Sequence, residues 1–238
     1  MTTTGTTSFN LDLNNLVEEA FERCGAELRT GYDLRTARRS LNLLTIEWAN
    51  RGINLWTIEE GSIAMVQGTI AYNLPVDTID LLEQVIRTNA GTSSNQLDIN
   101  INRISADTYI TIPNKNAQGR PIQVWINRQS GATEPTSGVA YQQINVWPAP
   151  DQSNYYTFFY YRLRRLQDAG NGVNTQDIPF RFLPCMVAGL AYYLSLKVPG
   201  AMERTPMLKA MYDEAWQQAA DEDREKAPLR IAPRMSFT

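Results

Sequence analysis

The segment Tyr155 to Arg165, reading YYTFFYYRLRR, is the one place where aromatic and basic side chains interleave. Rings that stack on bases, beside cations that follow a phosphate backbone, are what a single-stranded nucleic-acid site requires. The same alternation suits a strand with one aromatic face in a sandwich core and the other at a subunit interface, Arg162 and Arg164 lying on the side of Tyr160. We read it as core plus interface, with nucleic-acid binding as the alternative. Carboxylates offer the other chemistry. Glu59 and Glu60 are adjacent, so on a strand they point to opposite faces and form a polar edge, not an acid and base pair. Asp221, Glu222 and Asp223 close a helix against its dipole; they read as a solvated helix end, or as partners for another subunit's arginines. Arg35, Arg38 and Arg39 read as a solvated helix face, or as a salt-bridged contact to a neighbouring subunit.

The chain has no histidine. It therefore lacks the usual general base near neutral pH and the commonest metal ligand, which excludes Ser-His-Asp, Cys-His and zinc-hydrolase mechanisms. No phosphate-binding Gly-x-x-x-x-Gly-Lys-Ser/Thr loop, dinucleotide Gly-x-Gly-x-x-Gly turn or Gly-x-Ser-x-Gly elbow occurs. Cys24 and Cys185 are the only cysteines; each falls in an apolar helical pattern and reads as a small buried hydrophobe. No enzyme activity, cofactor or metal is expected. A hydrophobic content of 43% with 20% charged residues fits a folded globular chain of 238 residues. The net charge of -3 gives no global attraction to nucleic acid or an anionic membrane. The opening MTTTGTTSFN lacks a secretory pattern, and the longest nearly apolar run, Phe182 to Leu196, is too short for a bilayer, so a soluble protein with a polar N-terminal arm and no membrane partner is expected.

Helical periodicity places a first helix from Asp12 to the Gly25 stop, with Leu13, Leu16, Val17, Ala20, Phe21 and Cys24 inward. A second runs from an Asp33 cap to Gly52, with Leu34, Ala37, Leu41, Leu44 and Trp48 on one face, and then passes into an aromatic strand from Ile53 to Ile58. Strands joined by turns follow: a hairpin of Ser62 to Val66 and Thr69 to Leu74 around Gln67-Gly68, then Ile79 to Thr88, Leu97 to Ile101, Ile122 to Asn127, Gln142 to Trp147 and Tyr155 to Leu166. Asn89 to Gln96 and Ser130 to Gly138 are polar surface loops. Helix resumes after Pro179 as far as Val198, apolar nearly all round, and a last helix opens on a Thr205 cap with Pro206 in its first turn and Leu208, Met211, Tyr212, Ala215, Trp216 and Ala219 on one face. The expected fold is α+β: a four-helix bundle from residues 1–53 and 176–226, an inserted antiparallel β-sandwich or barrel-like region over 54–175, and an extended tail over 227–238.

Ala37, Arg38, Arg39 and Leu41, the Arg51-Gly52 stop, Trp56 and then Ile58-Glu59-Glu60-Gly61 resemble the tail tubular protein A family, head-to-tail adaptors of short-tailed bacteriophages. DIPFRFLPCMVAGLAYYLSLKVPG, Asp177 to Gly200, is similar to the third helix of such adaptors. The resemblance implies a virion structural protein at the head-tail interface, assembled in the host cytoplasm. It implies a dodecameric ring between portal protein and tail nozzle protein, with genomic DNA passing through without specific binding. In the tail, Leu229, Ile231 and Phe237 supply apolar anchors, and Arg230 and Arg234 can bond carboxylates of the portal or a neighbouring subunit. A tail-associated peptidoglycan hydrolase built on carboxylates is the alternative from another class.

Overall fold

The Asp12 carboxylate accepts from Asn15 N at 2.8 Å and opens α1 (Leu13–Cys24), which ends where Gly25 turns left-handed at φ 76° and donates back to Glu22 and Phe21. These caps sit where the sequence puts them. The computed structural model describes residues 3–29, 31–52, 55–128 and 142–224. Two units divide the chain: Met1–Trp56 with Leu166–Thr238, and Thr57–Arg165.

In the first unit α2 (Gly31–Arg51) buries Ala37, Leu41, Leu44 and Trp48. Asp33 lies inside its first turn and does not cap it; its carboxylate reaches back to Arg29 N at 3.4 Å. An acid at the third helical position can accept from an amide ahead of the helix, as Asp33 does from Arg29 N. Gly52 follows α2 at φ 153°, positive but not the left-handed helical conformation expected. The aromatic strand is also corrected. Leu55–Thr57 form a 3₁₀ turn, and the Trp56 ring packs 4.4 Å from Phe182; Ile53 and Asn54 lie outside the described residues.

A 3₁₀ turn at Phe180–Phe182 leads into α4 (Leu183–Ser195), buried on nearly every side and in contact with α1, α2 and α5 (Thr205–Glu222). Gly189 makes that packing work, since a Cβ there would stand 2.9 Å from Tyr212 and 3.0 Å from Leu44. Thr205 is not a cap: its backbone is already helical after the 3₁₀ turn Met202–Arg204, and its hydroxyl donates to Ser195 Oγ at 3.0 Å. Leu208, Tyr212 and Ala219 are buried, whereas Met211, at the edge of the predicted face, is 43% exposed. Leu166 and Ala169 join this core, and Leu13 N donates to Asn174 O at 3.0 Å, which holds the strand-to-helix connection against α1.

The second unit contains two four-stranded sheets. β1 (Ile58–Ala64), β8 (Tyr156–Arg164), β3 (Thr78–Thr88) and β4 (Leu97–Asn100) pair antiparallel in that order. β2 (Ala71–Asn73), β7 (Gln143–Trp147), β6 (Gln123–Asn127) and β5 (Asn102–Ile104) form the other. That sheet is mixed and not wholly antiparallel, because β5 runs parallel to β6 through a crossover containing the unpredicted α3 (Ala106–Ile110). The predicted hairpin does not form either: the turn at Gly68, φ 72°, is real, but β1 pairs with β8 and β2 with β7, so the chain changes sheet there. Tyr72, Ile86, Val124, Ile144, Val146 and Phe158 from the two sheets share one core. Arg103 of β5 donates to Leu81 O at 3.0 Å and Asp80 Oδ1 at 2.9 Å on β3, tying the sheets together.

Candidate assembly surfaces

In the helical unit one set of inward-pointing polar groups, centred on Glu47, is joined by hydrogen bonds. Trp48 Nε1 donates to Tyr212 OH at 2.9 Å, Tyr212 OH donates to Glu47 Oε1 at 3.3 Å, and Tyr193 OH donates to Glu47 Oε2 at 2.7 Å. Arg51 Nε donates to the same carboxylate at 2.9 Å, and its guanidinium lies 4.8 Å from the Tyr212 ring centroid and 4.9 Å from that of Trp216. Burial pushes the Tyr212 phenol up, and burial followed by the Glu47 hydrogen bond pushes Tyr193 up to about 12, so both stay protonated donors near neutral pH. Burial likewise raises Cys24 to about 11 and Cys185 to about 12. These are inert thiols, and Cys24 Sγ donates to Ala191 O at 3.1 Å.

The aromatic and basic run in β8 is a central strand. Tyr156, Phe158 and Tyr160 are buried, Phe159 lies under the Arg87 guanidinium at 3.8 Å, and Tyr161 is exposed. A stacking platform for bases is therefore not formed by this run. Arg162 is buried, donating to Asp77 Oδ1 at 2.5 Å, Thr78 Oγ1 at 3.0 Å and Glu59. Burial alone would lower its pKa, and the hydrogen bonds to Asp77 and Glu59 outweigh that. The adjacent glutamates are thus unequal: Glu59 closes the Arg162 clamp, and Glu60 accepts from Tyr161 OH at 3.4 Å. Gly61 stands opposite Tyr160, whose ring covers it, and a Cβ there would overlap that ring.

The Arg162 hydrogen bond holds the Asp77 carboxyl below its ordinary value. A depressed folded pKa contributes stability above the unfolded value, which is lost as pH falls through the folded one. Asp77→Asn is therefore expected to lower the thermal midpoint of the β unit at about pH 7, with the gap from the parent narrowing below the ordinary Asp range, near about pH 4. Melting curves at about pH 7 and at about pH 2.5 check this; a gap that widens on acidification contradicts it.

The acidic helix end is solvated only in part: Asp221 and Glu222 are exposed, Asp221 pairing with Arg224. The Asp223 side chain is buried and accepts from Arg181 and from Leu55 N at 3.1 Å, because the end of α5 meets the turn before α4. Arg38 Nε donates to Ala169 O at 2.9 Å, while Arg35 and Arg39 point outward. Leu229, Arg230, Ile231, Arg234 and Phe237 lie outside the described residues, as does the loop Ser130 to Gly138.

Two recesses in the helical unit share no lining residue. One, about 640 Å³, runs between α1 and the start of α4 and includes Phe9, Leu11, Glu18, Glu22, Leu183 and Pro184. The other, about 580 Å³, lies on the first half of α2, lined by Tyr32, Arg35, Arg38, Arg39 and Asn42. Glu47 and Arg162 were invisible as organising residues in the sequence, because their partners stand far away along the chain; only the helical spacing of Glu47 and Arg51 hinted at one contact. Among the described residues no group of three or more His, Cys, Asp and Glu could hold a metal ion, and no helix is long and apolar enough to cross a membrane.

A comparison with protein families matches residues 12–232 to the SU10 adaptor protein, a match that runs from the cap of α1 through both units. No curated protein matches the chain.

Proposed function

Because this chain belongs to the SU10 adaptor protein family of phage head-to-tail adaptors, we propose that its copies close into a ring, a dodecamer, between the portal and the tail nozzle. The observation that carries this reading is the span of the family match, which leaves only short ends of the chain outside it. Such rings need heterologous contacts, in which one face of a subunit meets a different face of the next. The helical unit suits that role: its four long helices act as a bundle, cross-braced by the Glu47 and Arg51 network, and form the ring body. The mildly acidic chain, net -3, lets DNA pass through the channel without adhering.

The tail over 227–238 makes the portal contact. Leu229, Ile231 and Phe237 seat in apolar recesses while Arg230 and Arg234 bond carboxylates of the portal or a neighbouring subunit. The free chain stays monomeric and becomes a ring on the portal, in the host cytoplasm. Negative-stain imaging of purified portal mixed with the chain tests the ring, and a pull-down tests the tail. Deleting Ala227 to Thr238 is expected to leave the melting point nearly unchanged and to abolish portal binding. Full affinity in the truncated chain would move the docking surface to the helical body.

A further inference from the structure

We propose that adjacent copies meet through a charge-matched contact, Tyr32, Arg35 and Arg39 on α2 of one copy against Glu18, Glu22 and the adjoining groove on α1 of the next. This rests on the ring reading. Glu18 and Glu22 are exposed, one turn apart, and so are Arg35 and Arg39. Like charges at that spacing destabilise the helix that carries them. Neighbouring charges on the same helices are satisfied within the chain: Arg23 pairs with Glu19 at 2.9 Å, and Arg51 with Glu47. Among the described residues none of the four is in an ion pair, although both helices belong to one unit. The two surfaces therefore fail to meet in cis and complement each other in trans.

Equal spacing lets both bridges form at once, which fixes the register of α2 on the neighbouring α1. Apolar chemistry matches too. Tyr32, 64% exposed, precedes Arg35 by one turn, and Phe9, 77% exposed, stands with Leu183 and Pro184 beside the glutamates. Tyrosine and arginine beside an apolar recess are the residues that dominate interface energetics. The two surfaces share no residue, so each copy can offer one to each neighbour, as a heterologous ring contact requires.

Charge reversal in the full chain, assembled on purified portal and counted by negative stain, tests the pairing. Glu18→Arg with Glu22→Arg, and separately Arg35→Glu with Arg39→Glu, are expected to cut the ring fraction by about tenfold or more, with melting points near the parent's. An equimolar mixture of the two variants, or one chain carrying all four changes, is expected to restore rings. Either double variant assembling like the parent, or a folded four-change chain that stays unassembled, overturns the contact while leaving the ring reading intact. No ring from the parent chain overturns the ring reading and this contact together. Loss of DNA retention on reversing Arg35 and Arg39, with assembly unchanged, assigns that surface to DNA and also overturns it.

Discussion

Trp48→Ala is expected to destabilise the helical unit by about 3–5 kcal/mol, a large part of the roughly 5–15 kcal/mol that holds a domain folded. The side chain is fully buried, its ring 5.6 Å from Phe182 and 5.2 Å from Trp216. Truncation leaves a cavity at the meeting point of α2, the turn before α4, and α5. It also strips Tyr212 OH of the indole donor, in a network where Tyr212 helps hold Glu47 for Arg51. Trp216→Ala removes a partly buried ring and no hydrogen bond of that network, so its cost is expected to be smaller. Far-UV circular dichroism against urea measures both; a Trp48→Ala loss under about 1 kcal/mol would show that the aromatic cluster does not organise this core.

What could be read from the sequence divides by distance along the chain. The Asp12 and Gly25 caps of α1, and the inward stripe of Ala37, Leu41, Leu44 and Trp48, are local: spacing and cap chemistry determine them within a few residues. Strand positions were legible for the same reason, and the observed β3, β6, β7 and β8 begin and end within two residues of their expected bounds. Pairing was not. Gln67-Gly68 is a genuine turn signal, but a turn says nothing about which sheet the next strand joins, and the partners of β1 and β2 lie far downstream. Asp223 shows the same limit: an acid at a helix C-terminus looks solvated until Arg181 and the Leu55 amide arrive from elsewhere in the chain. The residues that carry the family resemblance gain physical roles only in three dimensions. Arg51 bridges Glu47 beneath two aromatic rings, Trp56 packs on Phe182, Glu59 holds Arg162, and Gly61 leaves room for Tyr160. They form a scaffold signature, in keeping with a structural role. The exposed charges invoked for ring contacts give no such signal, because a helix face made for a neighbour and one made for water have the same periodicity.

Phe158→Ala is expected to cost the β unit about 3–5 kcal/mol, and Phe159→Ala, one residue on, about 1 kcal/mol. The contrast follows from the strand period. Phe158 is fully buried in the core shared by the two sheets, paired across β8 with Ile63 on β1 and Ile86 on β3, and its removal leaves a void that a central strand cannot relax to fill. Phe159 faces the opposite side, where its ring supports the Arg87 guanidinium. Losing that ring forfeits one cation and ring contact, yet Arg87 keeps both bonds to Asp98, at 2.6 and 2.8 Å. Neither side chain is placed to stack on a base, so neither change is expected to alter DNA retention. Denaturant unfolding of the two variants side by side decides the matter, and the order of the two losses is the sensitive quantity. Since a one-residue slip of register exchanges the faces of every side chain in β8, a larger loss at Phe159 than at Phe158 would mean that the strand lies the other way round between β1 and β3, with the Arg162 clamp turned away from Asp77.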